Sequence, residues 1–287
     1  MSTAPTLTQP KRSRMTLRRI NLPGTILILA SMLFSVIPLL SMLSAALQPQ
    51  GTIPQGLSWP ADPQWHNFID AWNLANITTL LGSSVLIVLG VVPAVMLIST
   101  MAAYALVVLK IPLGKLFFLL LLVGLTLPFE VTIVPLYQQL QDMGLLNSRV
   151  GLCLALVGLN MPFAVYWMRA HFLTVPEELS EAAGMDGAGP LRAFRLIHVP
   201  LAGPALASLG LLTFLSTWNQ FLLAIVLVDD PDKRTMAGAL QSFVGKYSTD
   251  LVLLNAGSVL LMAPTIIVFL ILQRHFVKAL LQGATKG

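Results

Sequence analysis

Residues 77–109 read ITTLLGSSVLIVLGVVPAVMLISTMAAYALVVL, without one charged side chain. A helix needs about 20 predominantly apolar residues to cross the hydrocarbon core of a bilayer, and this run exceeds that length. Five more segments share its character, at roughly residues 23–47, 116–140, 150–168, 201–228 and 255–272. They predict an all-α, polytopic membrane protein with six transmembrane helices. The composition agrees. Hydrophobic residues make up 56% of the 287-residue chain and charged residues 10%, against about 25% charged in soluble proteins. A water-facing sphere could not be covered with so few charges, which excludes a soluble enzyme, a disordered chain and a disulfide-stapled secreted domain. The single cysteine, Cys153, lies in an apolar run and can form no intrachain disulfide. The first run is too long for the apolar part of a cleaved signal.

Lys and Arg set the expected orientation. The stretch before the first span holds Lys11, Arg12, Arg14, Arg18 and Arg19. Lys110 and Lys115 lie between spans two and three, Arg169, Arg192 and Arg195 between four and five, and Arg274, Lys278 and Lys286 after six. The alternate side holds only Arg149, Lys233, Arg234 and Lys246. The positive-inside bias therefore predicts cytoplasmic N and C termini, with residues 1–22 a cytoplasmic tail, 23–287 the membrane domain and 273–287 a second cytoplasmic tail. The net charge of +5 is read as basic loops held against an anionic lipid leaflet. No basic stretch is interleaved with aromatic residues as single-strand binding requires, so lipid membrane and not nucleic acid is the expected partner. Segment 48–76 falls outside and carries Trp59, Trp65 and Trp72 with no Lys or Arg, as interfacial anchors or as a face for an external partner.

Catalytic signatures are missing. Gly114-Lys115 lacks the upstream glycine and following hydroxyl of a phosphate-binding loop. His66, His171, His198 and His275 are dispersed, with neither metal-site spacing nor a nucleophile–base set. We expect no catalytic residue and no metal. Glu130 is the one ionisable residue inside a span. Such a charge faces a cavity, a partner or an interface, so it belongs to a substrate path, or it bonds backbone freed by Pro128 and Pro135 or meets a neighbouring subunit. Asn160 and the group Trp218, Asn219, Gln220 are the other polar candidates for the path. Bonding across helices is the competing role for the amides, and simple space filling is the competing role for Trp218.

Residues 175–190 read VPEELSEAAGMDGAGP and 191–200 read LRAFRLIHVP. Pro176 fits a first helical position, and Glu177 and Glu178 suit the positive end of a helix dipole. Gly184 and Gly187 loosen or end that helix, with Leu179, Ala182, Ala183 and Met185 expected along one side. A second short helix, about 191–198, follows. An exposed helix with small residues at its tip suits insertion into a partner's groove; the alternative is an interfacial helix with no partner.

Glu181-Ala182-Ala183, three residues, Gly187, nine residues and Ile197-x-Val199-Pro200 resemble the EAA loop of ABC importer permeases, departing only at Val199, where the family has Leu. Asp186-Gly187-Ala188, Ala102-Ala103-Tyr104-Ala105-Leu106, Thr217-Trp218-Asn219-Gln220-Phe221 and the ending from Gln273 to Gly287 are similar to the carbohydrate-uptake group. That group includes the smaller permease of the maltose transporter, and the glycerol-3-phosphate importer's permease is similar too. The resemblance implies a coupling loop over 176–200 in which Glu181, Ala182, Ala183 and Gly187 dock an ATPase, supported by Asp186 and Arg192. It also implies a second permease subunit, two ATP-binding subunits and an extracytoplasmic solute-binding protein. ATP and Mg would sit on the ATPase, with no cofactor in this chain. The expected cargo is a sugar or oligosaccharide, alternatively glycerol-3-phosphate or a glycerophosphodiester. An ion-coupled secondary transporter is the rival of another class; the absence of an inverted repeat and the single intramembrane carboxylate argue against it.

Overall fold

The computed structural model describes residues 22–245 and 249–284, with side chains to Ile271 and at Gln273. The basic residues expected to orient the chain at 11–19, Lys246 and Lys286, and the side chains of Arg274 and Lys278, lie outside the described residues. Among the described residues twelve α-helices follow in order: α1 (Leu22–Ala46), α2 (Asn67–Leu74), α3 (Ile77–Val107), α4 (Gly114–Thr126), α5 (Ile133–Asp142), α6 (Arg149–Phe172), α7 (Glu178–Met185), α8 (Pro190–Ala193), α9 (Val199–Leu201), α10 (Gly203–Trp218), α11 (Leu222–Leu227) and α12 (Leu251–Ala284). Among the described residues the only β pairing is an isolated bridge between Val244 and Thr249.

α3 and α6 form the centre, with α10 against both and α12 against α10 and α1. Small residues allow this closeness. A Cβ on Gly90 of α3 would stand 3.3 Å from Cys153 Sγ of α6, and one on Gly210 of α10 would stand 3.2 Å from Met96 Sδ of α3. One core, with Val91, Val95, Leu152, Leu156, Met168 and Leu209, fills the middle. A second, with Ile77, Leu80, Phe214, Trp218, Phe243 and Leu253, fills the end nearest α2. The outside is apolar. On α1, Leu22, Leu33 and Phe34 are 65%, 65% and 78% exposed, a surface that water penalises and hydrocarbon does not.

Among the described residues four helices, α1, α3, α6 and α12, are each long and apolar enough to span a bilayer, and the count is six where each of two bent pairs is taken as one span. The expected third span is thus not one rod. α4 and the segment 129–142 diverge by 102°. Leu127 precedes a proline and is extended (φ −77°, ψ 129°), as steric clash with the proline ring demands. Pro128 is extended too, a 3-10 turn covers Phe129–Thr132, and Pro135 sits in the first turn of α5, where a missing N–H costs nothing. The expected fifth span, 201–228, is also divided, between α10 and α11. At its start the stretch Pro190–Leu201 meets α10 at 75°, with Pro204 in the first turn of α10. Downstream, Gln220 Oε1 accepts a 3.4 Å hydrogen bond from the Leu223 amide, helping start α11 after the chain leaves α10.

The loop after α11 is tied to the same end of the bundle as α2. Arg149 donates to Ser83 Oγ and to the Asp232 carbonyl, both at 2.8 Å. Ser83 donates to the Lys233 carbonyl, Asn76 to Asp232, and the Met236 amide to Ser84 Oγ. Ser148 caps α6 by accepting from the Gly151 amide at 3.0 Å. At Gly151 the Leu145 carbonyl oxygen occupies the place a Cβ would take. Gly151→Ala should therefore destabilise by about 1–3 kcal/mol, the usual cost of overpacking. Gly158→Ala, where a Cβ meets nothing within 4 Å, should leave the thermal midpoint in detergent unchanged or slightly raised; equal midpoints for both variants would refute the clash.

Candidate functional site: a protruding helix and its aromatic seat

α7 begins after Glu177 with Glu178 and Glu181 in its first turn, where carboxylates complement unpaired amides. It ends in a Schellman motif: the Ala188 amide bonds the Ala183 carbonyl (2.9 Å) and the Gly187 amide the Gly184 carbonyl (3.0 Å). Gly187 holds φ +74°, the left-handed conformation that closes such a cap. This turn and Pro190 at the start of α8 reverse the chain, so α7 ends in a compact tip.

Ala183 is buried at 5% exposure while Met185 is 90% exposed. Glu181, Ala182, Asp186, Gly187 and Arg192 are exposed. The expected stripe of Leu179, Ala182, Ala183 and Met185 is therefore divided: Ala183 faces the protein, and Ala182 and Met185 face away. Beyond the tip, Ala193 and Phe194 turn inward. A π-helical turn over Phe194–His198 replaces the regular second helix expected for 191–198. A cavity of about 560 Å³ is lined by Gly189, Pro190, Leu191, Arg192, Arg195 and Leu196.

Beneath the loop lies an aromatic cluster that sequence reading did not assemble. The Tyr104 ring of α3 lies 5.0 Å from Phe194, 4.9 Å from His198 and 6.2 Å from Phe172 of α6, centre to centre. Its hydroxyl donates to the Pro190 carbonyl at 3.0 Å. His198, 1% exposed, has Nε2 3.1 Å from Ser180 Oγ of α7. Just before the start of α7, Lys110 Nζ meets Glu177 Oε1 at 2.6 Å. Glu177, by hydrogen bond and then by charge, raises the Lys110 ammonium above its ordinary pKa. The available signal was a tyrosine near the end of an aliphatic span and opposite charges in two loops. These contacts bridge 86 and 67 residues, beyond any local spacing rule.

The candidates for the substrate path are not gathered into one site by any hydrogen bond the described residues make. Glu130 is exposed in the 3-10 turn between α4 and α5. Asn160 donates to the Leu156 carbonyl of its own helix at 2.8 Å. Trp218 is 3% exposed, stacks on Phe214 at 5.6 Å and donates to the Leu261 carbonyl at 3.3 Å. Asn219 donates to the Leu215 carbonyl, and the Gln220 carbonyl accepts from Thr235 Oγ1. A cavity of about 750 Å³ lies between the bent α4–α5 pair and α6; none of these five residues is in its wall, whose polar side chains are Thr132 and Gln139. Among the described residues no three His, Cys, Asp or Glu side chains converge as metal ligands.

Residues 94–282 match the family described as binding-protein-dependent transport system inner membrane component. The chain belongs to that family and is a membrane-embedded ABC transporter permease. It is 35% identical over 251 residues to the diacetylchitobiose uptake system permease NgcG of Streptomyces coelicolor, covering 86% of this chain and 83% of that one. It is 31% identical to the melibiose/raffinose/stachyose import permease MelC of Bacillus subtilis, covering 88% and 91%. It is 33% identical to the sn-glycerol-3-phosphate permease UgpE of Pectobacterium atrosepticum, covering 78% and 82%. The fold matches a chain in the crystal structure of a bacterial ABC transporter that imports the acidic polysaccharide alginate. There the TM-score is 0.75 at 23% identity, covering 93% of this chain and 100% of that one.

Alanine at position 187 would pay about 1–2 kcal/mol for the left-handed conformation. Gly187→Ala should speed amide hydrogen exchange at Gly187 and Ala188 severalfold, and Gly187→Asn, which tolerates that conformation, should do so less. Equal protection in all three proteins would show that the cap does not depend on the glycine.

Proposed function

We propose that this chain is one permease of an ATP-driven, binding-protein-dependent importer of a sugar or oligosaccharide, docked on its ATPase through the 176–200 loop. The observation that carries the reading is the build of that loop: a capped helix with Ala183 seated in the protein and Ala182, Met185, Asp186 and Gly187 outward. Small side chains permit close approach to a groove, and an exposed methionine supplies an adaptable apolar anchor. Glu181 caps the helix start or pairs with a basic group on the partner, with Arg192 beside the tip. The names of relatives for diacetylchitobiose and for melibiose, raffinose and stachyose support a carbohydrate cargo. Likeness to a glycerol-3-phosphate permease keeps that solute as the second reading.

In this scheme a second permease completes the pathway, two ATPase subunits bind ATP and Mg, and an extracytoplasmic binding protein delivers the solute. Catalysis lies on the ATPase subunits; this chain hydrolyses nothing and carries no cofactor. Both termini and the 176–200 loop lie in the cytoplasm in this scheme, a placement that the Lys and Arg bias supports. ATP closes the ATPase pair, the docked helices move, and the permeases exchange an inward-facing for an outward-facing cavity. Nucleotide and binding protein shift this equilibrium only by favouring one state over the other.

ATPase stimulation by solute-loaded binding protein, measured on the reconstituted complex across sugars and glycerophosphates, tests cargo and class together. Stimulation by a saccharide is expected; stimulation only by glycerophosphates would select the second reading, and transport by this chain alone on an ion gradient would overturn both. Met185→Asp puts a charge on an exposed tip and should leave the fold intact. It should weaken ATPase association on the order of tenfold or more, as loss of an interface anchor does; undiminished co-purification would refute docking through the tip. A cysteine placed at exposed Ile53 should react with an impermeant thiol reagent in intact cells, and one at Lys115 should not.

A further inference from the structure

We propose that α3, through Tyr104 and Lys110, is the helix that carries the movement of the 176–200 loop into the membrane; this rests on the docking role of that loop. The covalent routes out of α7 are poorly suited to transmit a push. Towards α10 the chain passes a π-helical turn and then a 75° bend. Towards α6 it passes a turn over Leu173–Pro176, outside either helix. Across space the connection is double. The Lys110–Glu177 pair holds the residue preceding α7, and the Tyr104 hydroxyl holds Pro190 just beyond its cap. α7 is thus gripped at both ends by residues at and just after the end of one helix.

α3 suits that task. It is one helix over 31 residues, with Pro93 in its interior, and packs on both α6 and α10, so displacing it displaces the centre of the bundle. The two contacts act as positioning contacts and not as a source of stability. Both members of the ion pair are about two-thirds exposed, where such pairs add little to folding. Tyr104 keeps its ring packing if only its oxygen is removed. Lys110 also sits at φ +50°, a backbone conformation uncommon outside glycine.

The test uses the complete complex in proteoliposomes and reads solute transported per ATP hydrolysed, with retained ATPase subunit as the assembly control. Tyr104→Phe should lower that ratio about fivefold, the factor corresponding to one net hydrogen bond of about 1 kcal/mol, and Lys110→Glu and Glu177→Lys should each lower it measurably but by less, as befits an exposed pair. The double variant Lys110→Glu/Glu177→Lys, which restores opposite charges, should recover most of it. A structural role alone would change protein yield or thermal midpoint and leave the ratio in place. Wild-type ratios in the single variants, or no recovery in the double, would overturn the proposal. A Met185→Cys crosslink to the ATPase separates the two levels. Its presence with unchanged ratios sinks only the α3 route, and its absence throughout the cycle sinks the docking reading and the route together.

Discussion

Close approach of α3 and α6 is the constraint on which the rest of the molecule depends. Helices in lipid gain little from burying one apolar surface against another, because lipid is equally apolar; they associate by packing density and by satisfying polar groups. Gly90 opposite Cys153 and alanines such as Ala103, Ala155 and Ala164 supply that density. α10 joins through Gly210 against Met96. With these three helices in register, Tyr104 on α3 and Phe172 on α6 end close together, and the aromatic seat of the 176–200 loop forms where the helices finish.

The same solvent explains where the chain breaks. Every backbone polar group at membrane depth needs a partner within the protein, so interruptions are confined to places where prolines remove donors or side chains supply substitutes. At 127–132 two extended residues are followed at once by a 3-10 turn, and Thr132 donates to the Phe129 carbonyl at 2.6 Å. At 219–222 Asn219 bonds back into α10 and Gln220 helps start α11. Asn219 and Gln220, two of the polar residues the sequence offers as solute contacts, thus also hold the backbone at this break, and Trp218 fills the second core beside Phe214.

The spans were legible because their signal is additive over some twenty residues and needs no knowledge of neighbours. The capped helix at 178–185 was legible because Glu178, Gly187 and Pro190 act within a few residues of themselves. The division of the loop into a seated Ala183 and an exposed Met185 was not, since a short helix of small residues has no strong apolar face to orient it. The angle at Pro128 was not either: a proline forbids continuation but leaves the new direction to packing.

Sequence by itself determined that this chain lies in a membrane, how many apolar segments it has, and that a capped helix stands between the fourth and fifth. Those follow from hydrophobicity, helix geometry and proline and glycine stereochemistry, all local in range. Tertiary structure alone decided which helix holds that loop, by bringing Tyr104 to Pro190 and Lys110 to Glu177. The physical reason is that a uniformly apolar helix presents lipid with equivalent faces, so pattern cannot say which face meets a neighbour; the fit of side chains across the interface does.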